Sequence, residues 1–424
     1  MTLGWAGILR IGVVQMSLGA VVVLMTSTLN RLMVVEFALP AVLPGALVAF
    51  YYGIQITRPN WGFLADTGGS RTRWVLRGMA ALAAGAFLAA WAVTLLDTAR
   101  AAALALSVLA YGLIGIGVGA AGTSALALLA IATAPARRAA AAALTWGMMI
   151  FGIAATATIA GGMLDPYGPG RLLAVVGVVT AGALVATVLA VWRIDRGLPP
   201  APPPESTPLR AGLAEIWAEP AARRFTLFVF LSMLAYFMQE LILEPFGGLV
   251  FAMTPGQTTT LSGMQNGGVL AGMIVVAVAG TGLGWGSLRV WVTAGCAGSA
   301  GALAAIAAVG AGGTQAMLWP AVAGLGLFNG MFAVAAVGAM MALAGQGRAA
   351  REGTRMGLWG AAQAVAAGSG GFLGAALADL LRLMLPPAPA FGAVFLAEAA
   401  LFLAAAVMAW RVIAAPGARA GATA

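Results

Sequence analysis

The stretch Gln239-Glu240-Leu241-Ile242-Leu243-Glu244-Pro245-Phe246-Gly247-Gly248 sits inside an apolar run that extends from Phe225 to about Met253. Two acids in a segment otherwise suited to lipid govern how the chain is read. Each ionised carboxylate at membrane depth costs about 2.5–3.5 kcal/mol on insertion scales. Such groups are kept where they face a cavity, a partner or a ligand. Glu240 and Glu244 are four residues apart, which on a continuous helix places them on one face. Pro245 removes a backbone donor, and Gly247-Gly248 loosen the next turn. The stretch predicts a polar site in a helical membrane protein.

Composition agrees. Of 424 residues, 62% are hydrophobic and 8% charged, with a mean hydropathy of +0.98. That balance belongs to polytopic membrane proteins. No cleavable signal pattern is seen, and the first apolar run, from about Ile11, is long enough to span. The single cysteine, Cys296, excludes an intrachain disulfide. With no histidine, His-ligated haem, His-rich metal sites and His-based triads are excluded. Lysine is absent too, so all 22 cationic side chains are arginine. In a chain this rich in Ala and Gly, base composition explains that better than a need for bidentate phosphate contacts.

Twelve apolar spans can be counted, the first at 11–29, the second at 42–57, the seventh at 225–251 and the last at 391–412. Most are near the ~20 residues a bilayer-crossing helix requires. With the N-terminus in the cytoplasm, only Arg31, Arg100, Arg171 and Arg382 fall outside. The positive-inside rule then places both termini in the cytoplasm. This bias accounts for most of the +9 net charge. No basic and aromatic module lies outside the spans, so nucleic acid is not an expected partner. One long polar segment, rich in proline and arginine, falls near the midpoint and reads as an extended linker, with a short amphipathic helix from Leu209 to Ala218. The domain reading is therefore a six-helix half over 1–192, a linker over 193–223 and a second half over 224–424. Internal repeats support it. Trp74-Val75 recurs as Trp291-Val292, Gly112-Leu113 as Gly324-Leu325, and Trp146-Gly147 as Trp359-Gly360, all near half the chain length apart. The expected fold is an all-α membrane protein of twelve transmembrane helices in two pseudo-symmetric halves. That is the layout of the major facilitator superfamily.

Two loops carry further motifs. Gly62, Asp66, Arg71 and Arg73 lie between the second and third spans and resemble that superfamily's cytoplasmic loop signature, G-x-x-x-D followed by basic residues. Gly permits close helix approach, and an Asp near a helix end can take N–H groups or arginines of a neighbour. A conformational gate and an ordinary charged loop both fit; the basic residue expected directly after the Asp is Thr67. Between the first two spans, Asn30, Arg31 and Glu36 read either as a helix end pinned by an Arg–Glu pair at the headgroups or as the mouth of a central cavity. For Glu240 and Glu244 the plain alternative is a structural network between helices; the functional ones are a proton-coupling pair or a ligand anchor. No nucleotide loop, metal-ligand cluster or nucleophile–base pair is seen, so no enzyme is expected.

Three stretches carry a family resemblance: Thr28-Leu29-Asn30-Arg31-Leu32-Met33-Val34-Val35-Glu36, then Gln239 through Met253, and Gly357-Leu358-Trp359-Gly360-Ala361-Ala362-Gln363. Together they resemble the PucC/LhaA group, the bacteriochlorophyll-delivery branch of the major facilitator superfamily. Glu240 departs from the Asp expected there, and the loop after Asp66 lacks the His and Tyr associated with the group. The resemblance implies a multi-pass protein of the bacterial inner or photosynthetic membrane. It implies bacteriochlorophyll as bound cargo, with light-harvesting antenna polypeptides and pigment-synthesis or membrane-insertion proteins as partners beside membrane lipids. A chlorin magnesium needs an axial ligand, and without histidine the candidates are hard oxygens, here Asn30, Gln239, Glu240 and Glu244. Pro245 completes the set of expected binding or coupling residues. The second functional reading is a proton-coupled secondary transporter of a small or amphipathic solute.

Overall fold

The computed structural model describes residues 3–57, 61, 70–134, 137–194, 217, 219–344 and 352–413. Every regular element among them is helical. In chain order these are Trp5–Val23 (α1), Val42–Ile54 (α2), Arg71–Thr94 (α3), Arg100–Ala132 (α4), Arg138–Leu164 (α5) and Pro169–Val191 (α6). Then come Pro220–Met238 (α7), Leu243–Phe251 (α8), Pro255–Val275 (α9), Leu288–Gly312 (α10), Gln315–Ala344 (α11), Glu352–Arg382 (α12) and Pro387–Val412 (α13). Among the described residues, eleven helical stretches are long and apolar enough to cross a membrane, and Val42–Thr57 is a shorter apolar helix. In lipid the backbone must satisfy its own hydrogen bonds, which is why long apolar runs resolve into helices. The chain is a multi-pass membrane protein.

The first crossing differs from its expected extent. It runs from Trp5 to Glu36, past the predicted end at 29. Beyond α1 the helix widens into π-type turns over Leu24–Leu29 and Leu32–Glu36. Asn30, Arg31 and Glu36 therefore belong to a helix and not to a loop between spans. Residues 23–34 are buried on every side. A helix that is covered all round needs internal partners for its polar residues.

Contacts group the chain into two compact units. One is Met1–Pro203 with Glu240–Asn266; the other is Pro204–Gln239 with Gly267–Ala424. The linker predicted over 193–223 and its amphipathic piece from Leu209 to Ala218 lie largely outside the described residues. Each unit builds one of its helix pairs in the same manner. In the first, the Ser70 hydroxyl caps α3 by accepting from Arg73 N at 3.4 Å. Two turns on, Gly78 lies so close to α4 that a Cβ would stand 2.5 Å from Ala121 N. In the second, Ser287 caps α10 through Val290 N at 3.4 Å, and a Cβ on Gly295 would stand 2.5 Å from Phe332 N on α11. The spacing between the two sets is that of the Trp74 and Trp291 repeat. Small residues let backbones approach where no hydrophobic effect drives helices together.

The second unit packs around aromatic edges. Phe225 on α7 meets Trp359 on α12 with centroids 4.9 Å apart, and Phe332 on α11 meets Phe402 on α13 at 6.1 Å. Ser299 donates to Asn329 Oδ1 at 2.8 Å between α10 and α11.

Candidate functional site

The site is built from a break in the seventh crossing. The apolar stretch Ala222–Phe251 is long enough to be one helix, but α7 ends at Met238, a 3-10 turn covers Gln239–Leu241, and α8 begins at Leu243. Pro245 is the third residue of α8. In the first turn its missing N–H costs little; inside a continuous helix it would leave the Leu241 carbonyl unpaired and press its ring on that carbonyl. The break therefore falls just before the proline. Glu240 accordingly lies in the 3-10 turn and Glu244 in the first turn of α8. Glu240 is half-buried, with the Thr26 hydroxyl as its hydrogen-bond partner. Glu244 is buried, in the first turn of α8, where the helix dipole favours a negative group.

Breaking a helix inside a membrane protein leaves backbone groups without partners. Two residues of the first crossing supply them. Asn30 Nδ2 donates to the Leu241 carbonyl at 2.8 Å, providing the N–H that Pro245 lacks. Arg31 Nη2 donates to the Met253 carbonyl at 2.6 Å, just past the end of α8, where Ala252 adopts a left-handed conformation. Arg31 Nη1 also pairs with the Glu36 carboxylate. A side chain on Gly248 would press on the Val35 methyls and the Arg31 guanidinium, which would have to shift to admit it. The Asn30-Arg31-Glu36 and Glu244-Pro245-Gly248 runs are thus two halves of one interlock.

Serines and threonines complete it. Glu244 Oε1 accepts from Ser27 Oγ and from Ser262 Oγ on α9. Thr258 lies within hydrogen-bonding reach of the same carboxylate, and Arg31 is near enough to attract it. Thr28 and Thr259 share a hydrogen bond of 3.1 Å. Three polar atoms in this cluster are buried without a partner among the described residues: Asn30 Oδ1, Arg31 Nε and Glu244 Oε2. Gln239, in the second unit, likewise keeps an unpaired buried Oε1. Buried polar atoms are seldom left unpaired, so these mark where a ligand atom or water is wanted.

A clamp closes the same end of the unit. Thr254 and Gln257 form a capping box at the start of α9, with bonds of 3.0 and 3.2 Å. Asp165, just after α5, accepts from Thr254 Oγ1 at 2.5 Å and Gly256 N at 3.1 Å. Tyr167 follows in the loop. Burial raises its hydroxyl pKa above the ordinary value; the Glu36 and Asp97 carboxylates add to this and Arg31 opposes it. The phenol is therefore neutral at any physiological pH.

Of the residues expected at a gate, Gly62 and Asp66 lie outside the described residues. Arg71 and Arg73 occupy the first turn of α3. Several groups were not anticipated. Ser27, Ser262, Thr28 and Thr259 give no sequence signal, because hydroxyl residues are common in apolar helices. Glu398 could have been found, as a lone acid within the last apolar span. It is fully buried on α13, and neither carboxylate oxygen has a partner among the described residues.

The interlock yields a direct test. Asn30→Ala should lower stability by about 1–3 kcal/mol, because it orphans the buried Leu241 carbonyl. In a Pro245→Ala background, where residue 245 regains its N–H, the same substitution should cost clearly less. Unfolding in detergent for the four members of the cycle measures the coupling. Additive losses would show that Asn30 does not stand in for the missing amide.

Known proteins share this architecture. The family model described as PUCC protein matches residues 28–416. A Rhodobacter capsulatus protein named "Bacteriochlorophyll synthase 44.5 kDa chain" is 66% identical over 420 residues, covering 99% of this chain and 98% of that protein. "Protein PucC" of the same organism is 29% identical over 397 residues, covering 88% and 83%. Among solved structures, a bacterial homolog of the human lysosomal transporter Spinster, inward-facing and unoccupied, superposes with a TM-score of 0.71 at 13% identity, covering 96% and 97%. At that identity the likeness speaks for the fold alone, that of a major facilitator transporter. The matched span includes the Asn30-Arg31-Glu36 and Glu244-Pro245-Gly248 runs, and the chain belongs to the PUCC protein family.

Proposed function

We propose that this protein is a membrane-embedded assembly factor that binds or hands over bacteriochlorophyll and attends light-harvesting polypeptides as they acquire it. The observation that carries the reading is a set of buried oxygens without donors, Asn30 Oδ1 and Glu244 Oε2, within the stretches that bear the family resemblance. A chlorin magnesium takes hard oxygen ligands, and a chain without histidine has only oxygens of this kind to offer. The name of the 66% identical relative supports the pigment. In this reading the chain is not itself an enzyme but a companion of pigment-making proteins, lying in a bacterial inner or photosynthetic membrane with both termini cytoplasmic. Glu244, Asn30 and Arg31 hold and orient; they are fixed by serine hydroxyls and backbone carbonyls, and none is paired as nucleophile and base.

The test is an absorption spectrum of the gently solubilised protein from a pigmented host, read with the antenna spectrum of a deletion strain. Chlorin bands in the first and loss of antenna absorption in the second are expected. Colourless protein together with an unchanged antenna spectrum would refute the proposal. A second reading, a proton-coupled transporter, draws on the transporter fold. It requires solute flux in proteoliposomes that collapses with the proton gradient.

A further inference from the structure

A groove of about 440 Å³ opens on the outer surface of the second unit, between α10 and α13. Its long wall is apolar: Leu403, Val407 and Trp410 of α13 are each about half exposed there. One end differs. Arg411 and Thr293 line it, and the Arg289 guanidinium stacks on the Trp410 ring, 3.8 Å from its centroid. Thr293 stands one helical turn beyond Arg289, so both present to the same face of α10. Thr293 Oγ1 and Arg289 Nε are buried without a hydrogen-bond partner among the described residues. No acidic side chain among the described residues lines the groove. The arginine bias of the sequence places this end at the inner face of the membrane, and a tryptophan at such a depth is an interfacial anchor.

The geometry points to a binding site for an anionic phospholipid, its phosphate held by Arg289, Arg411 and the Thr293 hydroxyl and one acyl chain lying along Leu403 and Val407. Two guanidiniums at one end of an apolar channel complement a negative headgroup attached to a hydrocarbon tail. A neutral lipid would fill the channel and leave the charges unanswered. The site lies wholly in the second unit and does not rest on the pigment reading.

The test uses the full chain in nanodiscs of phosphatidylcholine, with or without phosphatidylglycerol, followed by native mass spectrometry of retained lipid. Wild type should retain phosphatidylglycerol over phosphatidylcholine by about thirtyfold, which is about 2 kcal/mol at ~1.4 kcal/mol per tenfold, half from each arginine. Arg289→Gln with Arg411→Gln should abolish the preference. Val407→Trp, which fills the channel and keeps both charges, should also reduce retention, so a folding defect in the first variant does not decide the matter. Inorganic phosphate should compete poorly. Equal retention of both lipids, unchanged retention in the channel-filled variant, or full displacement by free phosphate would each overturn the assignment.

Discussion

Arg31→Ala is expected to lower the stability of the protein by about 2–4 kcal/mol, with the Lys variant recovering only part of the loss. The buried guanidinium makes two contacts at once, to the Met253 carbonyl at 2.6 Å and to the Glu36 carboxylate. Truncation strands the carbonyl at the end of α8 and opens a cavity in a region covered on all sides. The Glu36 part of the cost is smaller, since that side chain is 36% exposed and water can answer it. Lysine keeps the charge but not the planar fork, so it cannot serve both acceptors in their present positions. Denaturant or thermal unfolding in detergent measures the effect. A loss below about 0.5 kcal/mol for the Ala variant, the range of ordinary surface changes, would mean that Arg31 does not hold the two crossings together.

Glu244→Gln should leave the fold nearly intact and remove the pigment binding proposed above. The glutamine carbonyl can still accept from Ser27 and Ser262, as Glu244 Oε1 does now. What changes is the second oxygen, unpaired at present, which becomes an amide donor. Stability should shift by no more than about 1 kcal/mol, the size of one net hydrogen bond. The amount of chlorin that co-purifies per mole of protein should fall to near background. Glu244→Ala should lose the pigment as well and also destabilise, by about 1–3 kcal/mol, because two buried hydroxyls lose their acceptor. The pairing of a stable Gln variant with colourless protein separates a ligand-binding carboxylate from a merely structural one. Chlorin retained at wild-type levels in the Gln variant would assign Glu244 to helix packing alone.

Much of the candidate site was legible in outline. Acids beside Pro245 in an apolar run signalled a polar feature, and the Asn30-Arg31-Glu36 run signalled a second. Their connection was not legible. Nothing in the spacing says that Asn30 answers the carbonyl that Pro245 orphans, because the two are more than two hundred residues apart. The spacing of Glu240 and Glu244 gave no sign of the 3-10 turn over Gln239–Leu241 that separates α7 from α8. Asp165 gave no signal because its role depends on the start of α9 arriving beside α5.

Hydropathy alone determined that this is a helical membrane protein and where most of its crossings lie, since lipid leaves the backbone few other ways to bond. The recurrence of Trp74 and Trp291 foretold a repeated helix pair that reappears in caps and glycine contacts. Only the tertiary structure decided which polar atoms are answered and which stay open. A break in a helix exposes backbone groups whose partners can come from anywhere in the chain, and proximity of that kind is a property of packing.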